Sequence, residues 1–328
     1  MSLRRATSPK RVDETQVEPK VTSEPPSIMY PQQARSHQPS SHQSHSLQPH
    51  LLQANQSHAS VPPTAVYKSK QLCVPLGMSI LKALREVRTN PYIHQKDWGN
   101  LHISCSELDI NSSTAHGNKY FNIVSAQQMQ KFAQEHNFRR FKDLGPLNYS
   151  QNYSTAHMLT SHVGEYFMTV HNDTFLSERL GWFDRRPDEY EKHKLRYYPK
   201  GDLSWQVELL LEPTNKSLPH VTCTLIDDHL HKEDSLLFSE VWCIVMLTLI
   251  ALRLAKNEKH NVVPVTLVSF SHRQYRIVQG FMDGKKGIVN IWKSRIIHSD
   301  KMGKVQEEMK GILRWLLATP VGDTTKTP

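Results

Sequence analysis

The distribution of apolar residues divides the chain into a polar N-terminal part and a folded remainder. Before about residue 65, Ser, Gln, His and Pro dominate, and β-branched and aromatic residues are rare. Such a segment cannot bury enough apolar surface to offset the entropy that is lost on ordering. The sequence therefore predicts a disordered tail over residues 1–65 that precedes the folded region.

The clearest apolar pattern lies between residues 201 and 318. A largely apolar segment over about 235–254 predicts a helix that is buried on most sides, because apolar residues cover nearly its whole circumference. Alternation of apolar and polar residues predicts strands around this helix. The predicted strands lie at about 203–211, 221–226, 262–270, 274–282 and 287–292. A last amphipathic helix is predicted at about 301–317.

The order ββ-α-βββ-α predicts an α+β domain with a mainly antiparallel sheet and helices packed on one face. Asp283-Gly284 joins the last two strands and is the strongest short-range signal for a hairpin. We assign residues 201–318 to this α+β core and residues 319–328 to a flexible C-terminus. Residues 66–200 are predicted as an N-terminal helical and mixed part.

Three local patterns support structure within residues 66–200. Ser79 is predicted to cap a short helix that ends at Asn90-Pro91. Alternation over 101–105 predicts a strand. Ser125 and Gln128 match a capping box that opens a second helix.

Charge and cysteine content restrict the class of protein. The net charge of +9 is concentrated in residues 253–310, which carry +7, whereas residues 71–252 carry −3. This excess is compatible with an anionic partner. The four cysteines form none of the closely spaced pairs that build zinc sites. No apolar segment follows the first residues, and the longest uncharged apolar run has 12 residues where a spanning helix needs about 20. We therefore predict a soluble protein of the cytoplasm or nucleus.

Metal-capable side chains are densest in the segment after the predicted strand 221–226. The candidate metal ligands there are Asp227, Asp228, His229 and His231. Carboxylates and imidazoles bind divalent cations, and a bound cation can activate water for hydrolysis. Capping and the helix dipole also favour acidic residues before a helix, so a purely structural role stays open.

A metal-dependent hydrolase of nuclease type requires carboxylates that converge from neighbouring strands. The catalytic candidates are Asp202, Glu208 and Asp227. Asp202 and Glu208 are six residues apart, so strand alternation puts them on one side of the same strand. Neither is followed by the Glu-x-Lys arrangement that would position a water. No nucleophile elbow, dinucleotide fingerprint or phosphate-binding loop occurs, and we predict no cofactor.

Basic residues accompany aromatic residues in the predicted C-terminal meander. The candidate nucleic-acid-binding residues are Arg273, Arg276, Lys285, Lys286, Lys293 and Arg295. Cations that pair with phosphates, next to rings that stack on bases, suit a single-stranded nucleic acid. Strand alternation favours a simpler interpretation, in which the rings belong to the core and the cations form a solvated face.

The segments 260–270 and 275–284 resemble a stretch common to an uncharacterised protein family of filamentous fungi. The resemblance is clearest over about 259–295. It implies a fungal intracellular protein, some relatives of which are encoded beside secondary-metabolite biosynthesis genes. It implies no functional residue.

A packed core without a recognisable catalytic set is typical of a non-catalytic binding or accessory module, and this is the function that the sequence favours. A protein partner is then expected, and no membrane partner. The first alternative is a nucleic-acid-binding protein that uses the basic meander. The second alternative is a metal-dependent hydrolase of nuclease type.

Overall fold

The structure is a computed structural model, and it describes residues 63–111, 119–135, 152–167, 169–185, 195–197, 204–254, 257–298 and 305–326. All of them belong to one compact unit that spans residues 59–328. Residues 1–62 of the predicted tail and the catalytic candidate Asp202 lie outside the described residues. The division into a part over 66–200 and a core over 201–318 stays a prediction.

The described residues form six α-helices and fifteen β-strands. The helices are α1 (Pro63–Glu86), α2 (Ala126–Glu135), α3 (Asn152–Phe167), α4 (Leu176–Arg179), α5 (Phe238–Arg253) and α6 (Val305–Leu316). The strands before α5 are β1 (Tyr92–His94), β2 (Ile103–Glu107), β3 (Phe121–Asn122), β4 (Val170–His171), β5 (Thr174–Phe175), β6 (Trp182–Asp184), β7 (Arg196–Tyr197), β8 (Trp205–Pro213), β9 (Val221–Asp227) and β10 (Ser235–Leu237). The strands after it are β11 (Val265–Ser271), β12 (Gln274–Asp283), β13 (Ile288–Lys293), β14 (Ile297–His298) and β15 (Thr319–Pro320).

The main sheet has the strand order β2-β13-β12-β11-β9-β8-β6, with β7 beside β8 and β14 beside β12. Neighbouring strands are antiparallel except for two parallel pairs, β9 with β11 and β13 with β2. Helix α5 makes the crossover from β9 to β11 that a parallel pair requires. These observations confirm the α+β class, the mainly antiparallel sheet and the predicted hairpin and meander.

Helices cover both faces of the main sheet, so the prediction of helices on one face is wrong. On one face, Cys223 and Leu225 of β9 pack with α1 and with Val245 of α5. On the other face, Ile226 of β9 and Phe270 of β11 pack with α2, α3 and α6. The second face is covered mainly by residues before position 200 and by α6, and the apolar pattern of that N-terminal part is weak.

The helix starts follow the sequence signals only in part. Ser125 caps α2 as predicted, since its Oγ accepts the N–H of Gln128 at 3.1 Å. The predicted cap at Ser79 is wrong because α1 begins at Pro63 and Ser79 lies inside it. The predicted start of the apolar helix at about residue 235 is also wrong, because residues 235–237 pair with β1 and α5 begins at Phe238.

The C-terminal segment lies against the amino ends of β9 and β11. Thr319–Pro320 pairs with β3, in a region for which the sequence predicts a flexible end. Nε2 of His220 lies 3.1 Å from the carbonyl oxygen of Val321, and Nδ1 of His260 lies 2.7 Å from Oγ1 of Thr324. Buried histidines therefore connect this segment to the sheet.

Gly280 of β12 lies directly against α5. A Cβ at this position would lie 2.9 Å from Cγ2 of Ile244 and 3.1 Å from the carbonyl oxygen of Asn290. Ile244 is fully buried, so its side chain has little room to move. We expect Gly280→Ala to lower the free energy of unfolding by roughly 1–3 kcal/mol in urea denaturation. Gly99→Ala is the control, since a Cβ there meets nothing within 4 Å, and an equal effect of both changes would contradict the packing argument.

Candidate functional site

The candidate site lies at the edge of the main sheet where the parallel strands β9 and β11 end. β9 ends at Asp227 and β11 at Ser271. Helix α5 begins at the same edge, because the hydroxyl of Ser239 in its first turn donates to Oδ2 of Asp227 at 2.5 Å. In sheets with parallel strands, the carboxyl ends of the strands and the helix N-termini beside them commonly form ligand sites.

Asp227 is the buried member of the site, with 2% of its surface exposed. Its Oδ1 accepts the backbone N–H of His229 at 2.9 Å. Burial raises the pKa of Asp227 above its usual value, and the bonds from His229 and Ser239 offset this only in part. The charged form of this carboxyl therefore depends on its immediate neighbours.

His229 lies between two carboxylates. Its Nδ1 is 2.8 Å from Oδ1 of Asp227 and 2.8 Å from Oδ1 of Asp228. The bond to Asp227 raises the pKa of His229, although partial burial opposes this. The side chains of His229 and Asp228 are 37% and 40% exposed, and Asp228 also accepts the hydroxyl of Ser204 at 3.1 Å. The two partly exposed groups make the cluster accessible from solvent.

The donor atoms of Asp227, Asp228 and His229 are arranged closely enough to hold one cation. One atom from each residue lies within 4.8 Å of the other two, and two of the separations are 2.8 Å. Adjacent ligands of an octahedral cation with bonds of about 2.0–2.1 Å are about 2.9 Å apart. A cation could therefore bind once the proton on Nδ1 is lost, so proton and cation compete for the same place.

His231, the fourth predicted metal ligand, is not brought into this cluster. It is buried, and its Nε2 lies 3.0 Å from Oγ of Ser269 and 3.6 Å from Oε1 of Glu240. Burial, together with the nearby guanidinium of Arg276, lowers the pKa of His231 to about 3. A neutral His231 therefore anchors its segment to β11.

Glu208 is on the opposite face of the sheet from Asp227, contrary to the predicted convergence of catalytic carboxylates. Its Oε1 lies 3.2 Å from Nδ1 of His157 on α3, whereas Asp227 contacts α5. The pairing of β8 with β9 shifts register between Val207 and Leu210. Before this shift Trp205 pairs with Asp227, and Glu208 is three residues beyond Trp205, so strand alternation puts Glu208 on the other face. The sequence pattern does not show which residues of the two strands pair.

The six predicted basic residues do not form one surface. Arg276 is fully buried and its guanidinium pairs with Glu240, which corrects its prediction as a solvated cation for phosphate. Position 276 is on the face of β12 that packs against α5. Lys285 and Lys286 lie in the β12–β13 turn, while Arg273, Lys293 and Arg295 lie at the other end of these strands. At about 3.3 Å per residue the two groups are about 30 Å apart.

The second basic group lies beside the candidate site. Nζ of Lys293 donates to the carbonyl oxygen of Glu233, and the N–H of Ile296 donates to Oε1 of the same residue at 2.9 Å. The segment 227–234 is thus in direct contact with the end of β13. Arg273, Lys293 and Arg295 therefore share an edge with the carboxylate cluster.

Tyr92 and Lys232 complete the surroundings of His229. The ring of Tyr92 lies edge-on to His229 with 6.5 Å between ring centroids, and its hydroxyl donates to the carbonyl oxygen of Leu230 at 3.0 Å. Nζ of Lys232 lies 3.8 Å from the centroid of the Tyr92 ring. Sequence reasoning missed Tyr92, Ser204 and Ser239, because all three reach the site from other segments of the chain.

Comparison with protein-family models, with curated proteins and with solved structures gave no match. Among the helices in the described part of the chain, none has the length and apolar character needed to span a bilayer. The fold and the cluster define the class as an α+β protein with a candidate cation site at the ends of parallel strands.

Proposed function

We propose that the protein is a metal-dependent hydrolase of nuclease type that acts at this sheet edge. The proposal depends on one observation, the convergence of Asp227, Asp228 and His229 at the carboxyl end of β9. A divalent cation at this place would polarise a phosphodiester and lower the pKa of a bound water, which provides a nucleophile near neutral pH.

The charges around the cluster support a phosphodiester substrate. Lys232, Arg273, Lys293 and Arg295 lie in the segments that surround the cluster. The cluster itself carries the carboxylates of Asp227 and Asp228. Simple binding of a polyanion gains from positive charge alone. Metal-dependent hydrolysis requires charged groups of both signs: carboxylates bind the cation, and basic groups bind the phosphates.

A second candidate function is the non-catalytic binding module that the sequence favours. One observation supports it: Nδ1 of His229 lies 2.8 Å from a carboxylate oxygen of Asp227 and of Asp228, so a proton on this nitrogen would complete an ion cluster without a cation. Under this proposal the cluster has a purely structural role. A protein partner in the cytoplasm or nucleus binds at this edge of the sheet or at another surface. The link to secondary metabolism implied by the resemblance belongs to the same proposal.

The two candidate functions differ in a cleavage assay with labelled single-stranded DNA, double-stranded DNA and RNA. We expect the protein to cleave at least one probe with Mn²⁺ or Mg²⁺, and EDTA to abolish cleavage. Asp228→Asn removes one ligand at a partly exposed position, so we expect a normal fold and a rate lowered by about 100-fold or more, equivalent to about 2.7 kcal/mol. Asp234→Asn is the matched control, because Asp234 is an exposed carboxylate of the same segment outside the cluster.

Two results would contradict the hydrolase. Cleavage that is insensitive to EDTA and to Asp228→Asn would show that the activity does not use this cluster. Absence of cleavage of all three probes with either ion would remove the hydrolase and support the binding module.

A further inference from the structure

The segment that carries the candidate ligands, residues 228–234, is held by side chains of the β11–β12 hairpin. Oγ of Ser271 donates to the carbonyl oxygen of His229 at 2.6 Å. Oε1 of Gln274 accepts the backbone N–H of His231 at 3.1 Å. We call residues 228–234 the ligand segment.

Arg276 adds two bonds to the same stretch of backbone. Its Nη1 donates to the carbonyl oxygen of Lys232 at 3.2 Å and to that of Ser235 at 2.9 Å. Nε and Nη2 of the same guanidinium bind the two carboxylate oxygens of Glu240 in the first turn of α5. The planar fork of arginine is suited to such simultaneous contacts, which a lysine could not reproduce.

The ligand segment has few backbone bonds of its own. It connects β9 to β10 without regular structure, and the N–H of Asp228 bonds to the carbonyl oxygen of Ser204 at 3.0 Å. Segments of this kind are usually mobile unless a rigid scaffold holds them. Here the hairpin provides that scaffold, since Ser271 is fully buried and belongs to a seven-residue strand in the middle of the sheet.

We propose that Ser271, Gln274 and Arg276 are positioning residues that fix the ligand segment and thereby set the separations between the donor atoms of Asp227, Asp228 and His229. This inference rests on the proposed function. Asp227 ends a strand and is fixed by it, but Asp228 and His229 belong to the ligand segment. The two separations of 2.8 Å therefore depend on the backbone of a segment that the hairpin holds. Small displacements of site groups have large effects on binding and catalysis.

The test compares pairs of variants that remove or retain one bond. Gln274→Ala removes the acceptor for His231, and Gln274→Glu retains a carboxyl oxygen there. Ser271→Ala removes the donor to His229, and Ser271→Thr retains a hydroxyl. Lys285→Ala is the control, since Lys285 is exposed in the turn at the other end of β12, away from the ligand segment.

Two readouts separate positioning from general stability. We expect Ser271→Ala and Gln274→Ala to accelerate amide hydrogen exchange in residues 228–235. Exchange in β9 and β11 should stay unchanged. We expect the same variants to weaken Mn²⁺ binding, measured by titration calorimetry, by about 10- to 100-fold, the usual effect of losing an outer-shell partner. Gln274→Glu and Ser271→Thr should restore most of the affinity.

The results distinguish this inference from the proposed function. Unchanged exchange in residues 228–235 overturns the positioning role, whether or not Mn²⁺ binds. Faster exchange with unaltered Mn²⁺ affinity overturns it as well. Failure of the unaltered protein to bind Mn²⁺ overturns the cation site and, with it, the proposed function. Faster amide exchange in residues 228–235 of the alanine variants would then show only that the hairpin holds the ligand segment.

Discussion

Arg276→Met should lower the free energy of unfolding by about 3–5 kcal/mol, the usual cost of removing one partner of a buried ion pair. Arg276 and Glu240 both have fully buried side chains and bind through two parallel contacts. Burial raises the pKa of Glu240, but the charge of Arg276 and its hydrogen bonds outweigh this, so the pKa is held below its usual value. Without Arg276 the carboxyl must stay charged in the core or take up a proton. The carbonyl oxygens of Lys232 and Ser235 also lose a donor.

Urea denaturation at pH 7 measures this cost against a matched control. Arg273→Met changes a partly exposed arginine three residues away, and we expect an effect within about 0.5 kcal/mol. If Arg276→Met does not fold, Glu240→Gln is measured instead. This variant removes the negative charge but retains the shape of the side chain and most of its hydrogen bonds. The double change Arg276→Met with Glu240→Leu should cost less than the sum of the single changes, because no buried charge then remains. A cost for Arg276→Met no larger than that of Arg273→Met would contradict the pairing.

Acidification from pH 7 to pH 4 should lower stability by about 3 kcal/mol through His220 alone. Burial lowers the pKa of His220 from 6.5 to about 4, and 1% of the residue is exposed. Below pH 6.5 the unfolded chain binds a proton that the folded chain excludes, so stability falls with pH until the folded pKa is reached. Above pH 6.5 both states are neutral at this position and the contribution vanishes.

His220→Gln isolates this contribution from those of the carboxyl groups. Urea unfolding of both proteins between pH 7 and pH 4 should give a curve for the variant that is flatter by about 3 kcal/mol. Equal dependence in the unaltered protein and in His220→Gln would contradict the buried neutral state. Because His220 contacts Val321, the C-terminal segment is expected to loosen first on acidification.

The core of the fold is predictable from sequence because its signals are local. The apolar run of α5 and the alternation in β8, β9, β11 and β12 appear within single windows of the chain. The hairpin is confirmed, but its turn is longer than an Asp-Gly pair: it covers residues 284–287, and Gly287 rather than Gly284 has a positive φ of 67°. Oδ1 of Asp283 accepts the N–H groups of Lys285 and Lys286 in this turn. The second helical layer is not predictable as a layer, because the sequence predicts α2 and α6 singly without showing which face of the sheet they cover, and α3 has no clear apolar stripe.

The candidate site could be predicted only in its contiguous part. Asp227, Asp228 and His229 are adjacent in sequence, so a single segment identifies all three as candidate ligands. Tyr92 and Ser239 come from other segments, and only the folded chain brings them to the strand ends. The sequence favours a solvated position for Arg276, because alternation shows only that Arg276 and the aromatic residues lie on opposite faces of the strand. It does not show that the buried carboxylate of Glu240 lies on the face of Arg276.

The cation site is tested most directly by soaking crystals of the protein in MnCl₂ and measuring anomalous scattering from manganese. The account predicts a peak about 2.2 Å from Oδ1 of Asp227, Oδ1 of Asp228 and Nδ1 of His229. The same experiment on Asp228→Asn should show a weaker peak or none. A map without density at this place, with His229 still bonded to both carboxylates, would contradict the site and the hydrolase proposed from it.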